Sequence, residues 1–89
     1  MPELRLTRRA RDELEALPDA VREAVLETLA SIQLDPDTAG KRLVGRMRGL
    51  WAARVGGYRI LYTVEPTSVI VRSIRHRGVA YGTERRPRR

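Results

Sequence analysis

The sequence contains no cysteine, a single histidine and no long apolar run. Without cysteine there is neither a disulfide framework nor a thiolate metal site. One histidine is too few for a protein-built zinc centre, so no metal and no cofactor is expected. No apolar stretch approaches the roughly 20 residues that a membrane-spanning helix needs. The opening residues, MPELRLTRRA, lack the apolar centre of a secretory signal. These absences predict a soluble, cytoplasmic protein. At 89 residues the chain is expected to form one domain with a modest core, over residues 1–82, followed by a basic tail over 83–89.

Acidic residues are scarce in one half only. Residues 1–40 hold five arginines against nine acids, a net of −4. Residues 41–89 hold thirteen lysines and arginines against two glutamates, a net of +11. An asymmetry of this size points to a polyanion met by the C-terminal half, beyond what solubility alone asks.

The apolar pattern changes period along the chain. Leu4 and Leu6 alternate with charge in a short extended segment. Thr7 is placed to cap a helix over Arg8 to Leu17, with Ala10, Leu14 and Leu17 as its apolar stripe. Pro18 breaks that helix and can open a second, in which Val21, Val25, Leu29 and Ile32 recur at helical spacing. Pro36 ends it, and DPDTAG, residues 35–40, reads as a loop. From Leu50 onward the runs are short and rich in β-branched and aromatic residues: Leu50–Val55, Tyr58–Val64 and Val69–Ile74. The expectation is an α+β domain of order β-α-α-β-β-β, an antiparallel sheet with a helix hairpin packed on one face.

Two glycines, Gly56-Gly57, separate the first two of these strands. A two-residue hairpin loop pairs Val55 with Tyr58, Arg54 with Arg59 and Ala53 with Ile60. Trp51, Ala53 and Val55 then share the apolar face with Tyr58, Ile60 and Tyr62. Arg54 and Arg59 become direct neighbours on the other face, where like charges destabilise the pair. No acid lies within six positions of Arg54 or within five of Arg59. A partner must come from elsewhere in the fold or from outside it, and phosphate suits the guanidinium fork. The third strand runs into RSIRHRGVAY, where Arg72, Arg75 and Arg77 surround His76. A two- or four-residue loop at Pro66 places Ile74 opposite Arg59 and His76 on that same face. A three-residue loop with a bulge places Arg75 and Arg77 with Arg59 instead.

The helix pair ending in LDPDTAGKRLVG, the GLWAARVGGYRILYTV block and the closing IRHRGVAY together resemble the RelE/ParE superfamily of bacterial toxin–antitoxin toxins. The middle block is the most specific: G-x-W-x-x-R-V-G-x-Y-R-I-L-Y, then a strand ending in His-Arg and a following Tyr. The resemblance implies a microbial-RNase-like fold and a cognate antitoxin as partner. In the RelE branch it implies a ribosome-dependent endoribonuclease that cuts mRNA. In the ParE branch it implies a gyrase inhibitor without that nuclease site. Carried over by position, the RelE-type catalytic residues are Arg54, Arg59, Arg77 and Tyr81, with His76 a further candidate. Lys41, Arg42, Arg46, Arg48 and Arg75 would grip RNA. RelE proteins often carry a second basic residue two before the Arg54 position, where this chain has Ala52. The residues after Tyr81 are also too few for the C-terminal helix of many members. The implied reaction is attack of the RNA 2′-OH on the adjacent phosphate. Arg59 and Arg77 would hold the developing charge, Arg54 would orient the substrate, and His76 or Tyr81 would transfer a proton.

Overall fold

The computed structural model describes residues 1–76. Strand β1 (Glu3–Leu6) leads into helices α1 (Arg8–Glu15) and α2 (Asp19–Leu34), then a short helix α3 (Pro36–Ala39). Strand β2 (Lys41–Arg42) and a 3-10 turn (Gly45–Met47) precede β3 (Trp51–Val55), β4 (Tyr58–Val64) and β5 (Ser68–His76). The five strands lie in the order β1-β5-β4-β3-β2. β1 runs parallel to β5 and the other pairs are antiparallel. No helix among the described residues is long and apolar enough to cross a membrane.

The helix hairpin forms as its sequence suggests. The Thr7 hydroxyl accepts the Ala10 N–H and caps α1. Arg22 from α2 donates to the Leu17 and Glu15 carbonyls, at 2.9 and 3.2 Å, and so covers the exposed end of α1. Val25, Leu29 and Ile32 of α2 are buried, and they meet Ala53, Ile60, Tyr62, Val69, Val71 and Ile74 of the sheet. Each fully buried aliphatic side chain contributes about 1.5–3 kcal/mol. Cross-strand repulsion between exposed like charges costs about 1 kcal/mol or less. Core burial therefore sets which sheet face is covered, and the arginines follow.

DPDTAG differs from the loop expected of it. Asp35 precedes Pro36, whose fixed φ suits the first helical position, and the Thr38 and Ala39 amides bond to the Asp35 carbonyl. The Thr38 hydroxyl donates to Asp35 Oδ2 at 2.9 Å. One helical turn results, and it delivers the chain to β2, an edge strand too short to show in the apolar pattern. Tyr62, fully buried, fastens this turn by donating its hydroxyl to the Pro36 carbonyl at 2.7 Å. Burial, with the nearby Asp37 charge, pushes that hydroxyl's pKa up to about 12. Gly40 is required here, since a Cβ would collide with the Tyr62 hydroxyl and lie 2.8 Å from the Ala52 carbonyl.

Candidate active site

The β3–β4 hairpin has the register that the glycine pair implies. Val55 faces Tyr58, Arg54 faces Arg59 and Ala53 faces Ile60. Gly56 adopts φ 57°, the left-handed conformation such a turn requires.

The β4–β5 register resolves the open alternative at Pro66. The loop has four residues, closed by the Glu65 N–H to the Ser68 carbonyl, and Val64 pairs with Val69. That start alone would put Ile74 opposite Arg59. A bulge intervenes: Val71 pairs with Tyr62 but Ser73 pairs with Leu61, so Arg72 has no opposite number. Beyond it Ile60 faces Ile74, Arg59 faces Arg75 and Tyr58 faces His76. The bulge is held from the β1–α1 corner. The Thr7 N–H donates to the Val71 carbonyl at 3.0 Å, and its hydroxyl donates to the Arg72 carbonyl at 3.2 Å.

Arg54, Arg59 and Arg75 therefore form one row across three adjacent strands. Neighbouring strands lie about 4.8 Å apart, so the backbone of the row spans about 10 Å. The row adjoins a groove of about 470 Å³ whose walls include Thr38, Gly40, Lys41, Ala52, Arg54 and Arg59. Among the described residues, no carboxylate pairs with Arg54. Arg75 has Glu13 of α1, with Nε 3.6 Å from Oε2. Sixty-one residues separate Glu13 from Ile74, whose N–H it also accepts, and no short-range pattern in the sequence announces the contact.

Lys41 stands directly opposite Ala52 and lines the groove. A cation from the neighbouring strand thus borders the position where the RelE pattern often places its second basic residue. Arg42 lies opposite Trp51, its guanidinium carbon 5.5 Å from the indole centroid. Trp51 is partly buried and stacks on Tyr62, consistent with a place on the apolar face. Arg46 and Arg48 are exposed on and just after the 3-10 turn.

His76 shares the Tyr58 face, opposite the arginine row. Its ring meets Tyr58 edge-on, with centroids 5.1 Å apart, and a Cβ on Gly57 would approach His76 Nε2 to 2.9 Å. Arg77 and Tyr81 lie outside the described residues. Of the carried-over residues, then, the structure brings together Arg54 and Arg59, adds Arg75 and Lys41 beside them, and turns His76 to the other face.

Arginines so placed have the chemistry to attract a phosphodiester and to stabilise added negative charge on its oxygens. Arginine stays protonated at neutral pH, so the row itself supplies charge rather than a base.

The chain matches the family model described as ParE toxin of type II toxin–antitoxin system, parDE, over residues 4–81. It is 35% identical over 81 residues to Toxin RelG of Mycobacterium tuberculosis, covering 88% of this chain and 93% of that protein. Its structure is similar to the toxin–antitoxin complex RelBE2 from M. tuberculosis, with a TM-score of 0.78 and 33% identity, covering 85% of this chain and 91% of that one. It is also similar to the isolated E. coli RelE toxin, with a TM-score of 0.74 and 28% identity, covering 85% and 84%. On this family match, sequence identity and shared fold, this chain belongs to the RelE/ParE superfamily and is a toxin of a type II toxin–antitoxin system.

Proposed function

We propose that this toxin is a metal-independent endoribonuclease of the RelE type, which cuts mRNA on the ribosome and so arrests translation in the cytoplasm. The observation that carries the reading is the row of Arg54, Arg59 and Arg75 beside the Lys41 groove. RNA holds its own nucleophile, so the enzyme needs alignment and charge more than a reactive side chain. The 2′-oxygen bonds to phosphorus, the bond to the 5′-oxygen breaks, and a 2′,3′-cyclic phosphate and a free 5′-OH result. Arg59, at the centre of the row, takes the charge that develops on the non-bridging oxygens, with Arg77 carried over to the same task. Arg54 orients the substrate. Arg75, Lys41, Arg42, Arg46 and Arg48 grip RNA backbone. Tyr81 is the candidate for proton transfer or base stacking. His76, packed on Gly57 and Tyr58, is assigned no step.

Purified protein added to a translation reaction should cut the mRNA at discrete positions, read by primer extension. Intact mRNA would reject this reading.

A second reading, a gyrase inhibitor of the ParE type, is favoured by the family model and by Ala52 in the place of a basic residue. Loss of supercoiling in a gyrase assay, with ribosome-bound mRNA left whole, would decide for it.

The partner in either case is a cognate antitoxin, as in the RelBE2 complex. An acidic segment on that antitoxin would complement the strongly basic half of this chain.

A further inference from the structure

Glu13 reaches Arg75, at one end of the arginine row, and it does more there than neutralise charge. β1 pairs with β5 only as far as Leu6 and Val71. Beyond Val71 the outer edge of β5 has no strand beside it among the described residues, and α1 packs against β5. Oε1 of Glu13 accepts the Ile74 N–H at 2.8 Å, on the side of β5 away from β4. Oε2 meets Arg75 Nε at 3.6 Å and Arg9 Nε at 3.3 Å. The Glu13 side chain is only 22% exposed, so this pairing is less screened than a surface ion pair.

Arg75 therefore lies between two opposing influences. Arg59 faces it across the β4 side and repels it. Glu13 holds it from the edge side.

We infer that Glu13 is a positioning residue for the phosphate site: its carboxylate fixes the free edge of β5 and the Arg75 guanidinium together. The inference rests on the reading that the arginine row, Arg75 included, binds RNA phosphates. Glutamine at position 13 separates the two tasks. Its amide oxygen can still accept the Ile74 N–H, whereas the charge that holds Arg75 is gone.

The test is a double-mutant cycle of Glu13→Gln with Arg75→Ala, read by mRNA cleavage on ribosomes over a range of substrate concentrations. Glu13→Gln should keep the far-UV circular dichroism of the parent protein. Its kcat/KM should fall by about tenfold, short of the roughly 100-fold that a 1 Å misplacement can cost. In the Arg75→Ala background the same substitution should cost nothing further. Equal losses in both backgrounds, or no loss in either, would overturn the inference. If the parent protein cuts no mRNA, the nuclease reading fails separately. The cycle is then read from the affinity for a short single-stranded RNA: Glu13→Gln must weaken it with Arg75 present and leave it unchanged without Arg75.

Discussion

Arg59 and Arg75 face each other across β4 and β5 because β5 carries one residue more than its partner strand over the same span. The surplus residue is Arg72, and Thr7 holds its carbonyl. Without that surplus Ile74 would stand opposite Arg59, and the row would stop at two arginines.

Thr7 serves two elements at once, capping α1 and bonding to both carbonyls of the bulge. Thr7→Ala should lower stability by about 1–2 kcal/mol, the upper part of the range for a lost N-cap. Urea denaturation would measure it. A loss below a few tenths would show that the hydroxyl contributes little to either element.

Arg59 sits at the centre of the row, with a cation on each side. Arg59→Ala should reduce mRNA cleavage by about 100-fold or more, the scale set by removal of one oxyanion-stabilising donor. Arg77→Ala should do the same, and Arg54→Ala less. Circular dichroism of each variant should match the parent protein. Cleavage retained in both Arg59→Ala and Arg77→Ala would place the chemistry elsewhere.

Lys41 borders the groove from an exposed edge strand. Its contribution to RNA binding should be electrostatic and therefore dependent on salt. Removing one phosphate contact should flatten the slope of log K against log salt by about 0.7, the single-strand value. Titrating Lys41→Ala with single-stranded RNA at several salt concentrations checks this, and an unchanged slope would remove Lys41 from the interface.

His76 packs against Gly57 and meets the Tyr58 ring edge-on. Pairs of aromatic rings in this geometry contribute about 0.5–1.5 kcal/mol. His76→Ala should lower the thermal midpoint and leave the rate of mRNA cleavage near that of the parent protein. A large fall in kcat at unchanged stability would instead return His76 to the catalytic group.

Tyr62 offers a pH test. Its folded pKa of about 12 lies above the ordinary value of 10.0, so folding favours the protonated hydroxyl. Its stabilising contribution is therefore complete below pH 10 and is lost as the pH rises toward 12. The parent protein should lose stability through this window faster than Tyr62→Phe, as followed by denaturant unfolding at each pH. The variant should also be less stable at neutral pH by about 1 kcal/mol, because the Pro36 carbonyl loses its partner.

Part of the molecule was legible in the sequence because the governing interactions are local. Thr7 as a cap, the α2 stripe of Val25, Leu29 and Ile32, and the Arg54–Arg59 pair all follow from spacing over a few residues. The glycine pair fixes a two-residue loop, and from it the register of the hairpin counts out without further information. The location of the cations follows in turn, since the alternate positions Ala53, Ile60 and Tyr62 take the buried face. The turn over Pro36–Ala39 and the two-residue β2 escaped, because both are shorter than any hydrophobic period can reveal.

What only the tertiary structure decided lies in contacts between distant segments. The bulge at Arg72 is bonded by Thr7, sixty-five residues away, and Glu13 reaches Ile74 across sixty-one. Lys41 meets Ala52 just after a turn that Tyr62 anchors through the Pro36 carbonyl. Composition and spacing made this a basic α+β protein with two arginines on an open sheet face. Long-range hydrogen bonds, which shift a strand by one residue and so exchange its two faces, made the pair a row and set it beside a groove.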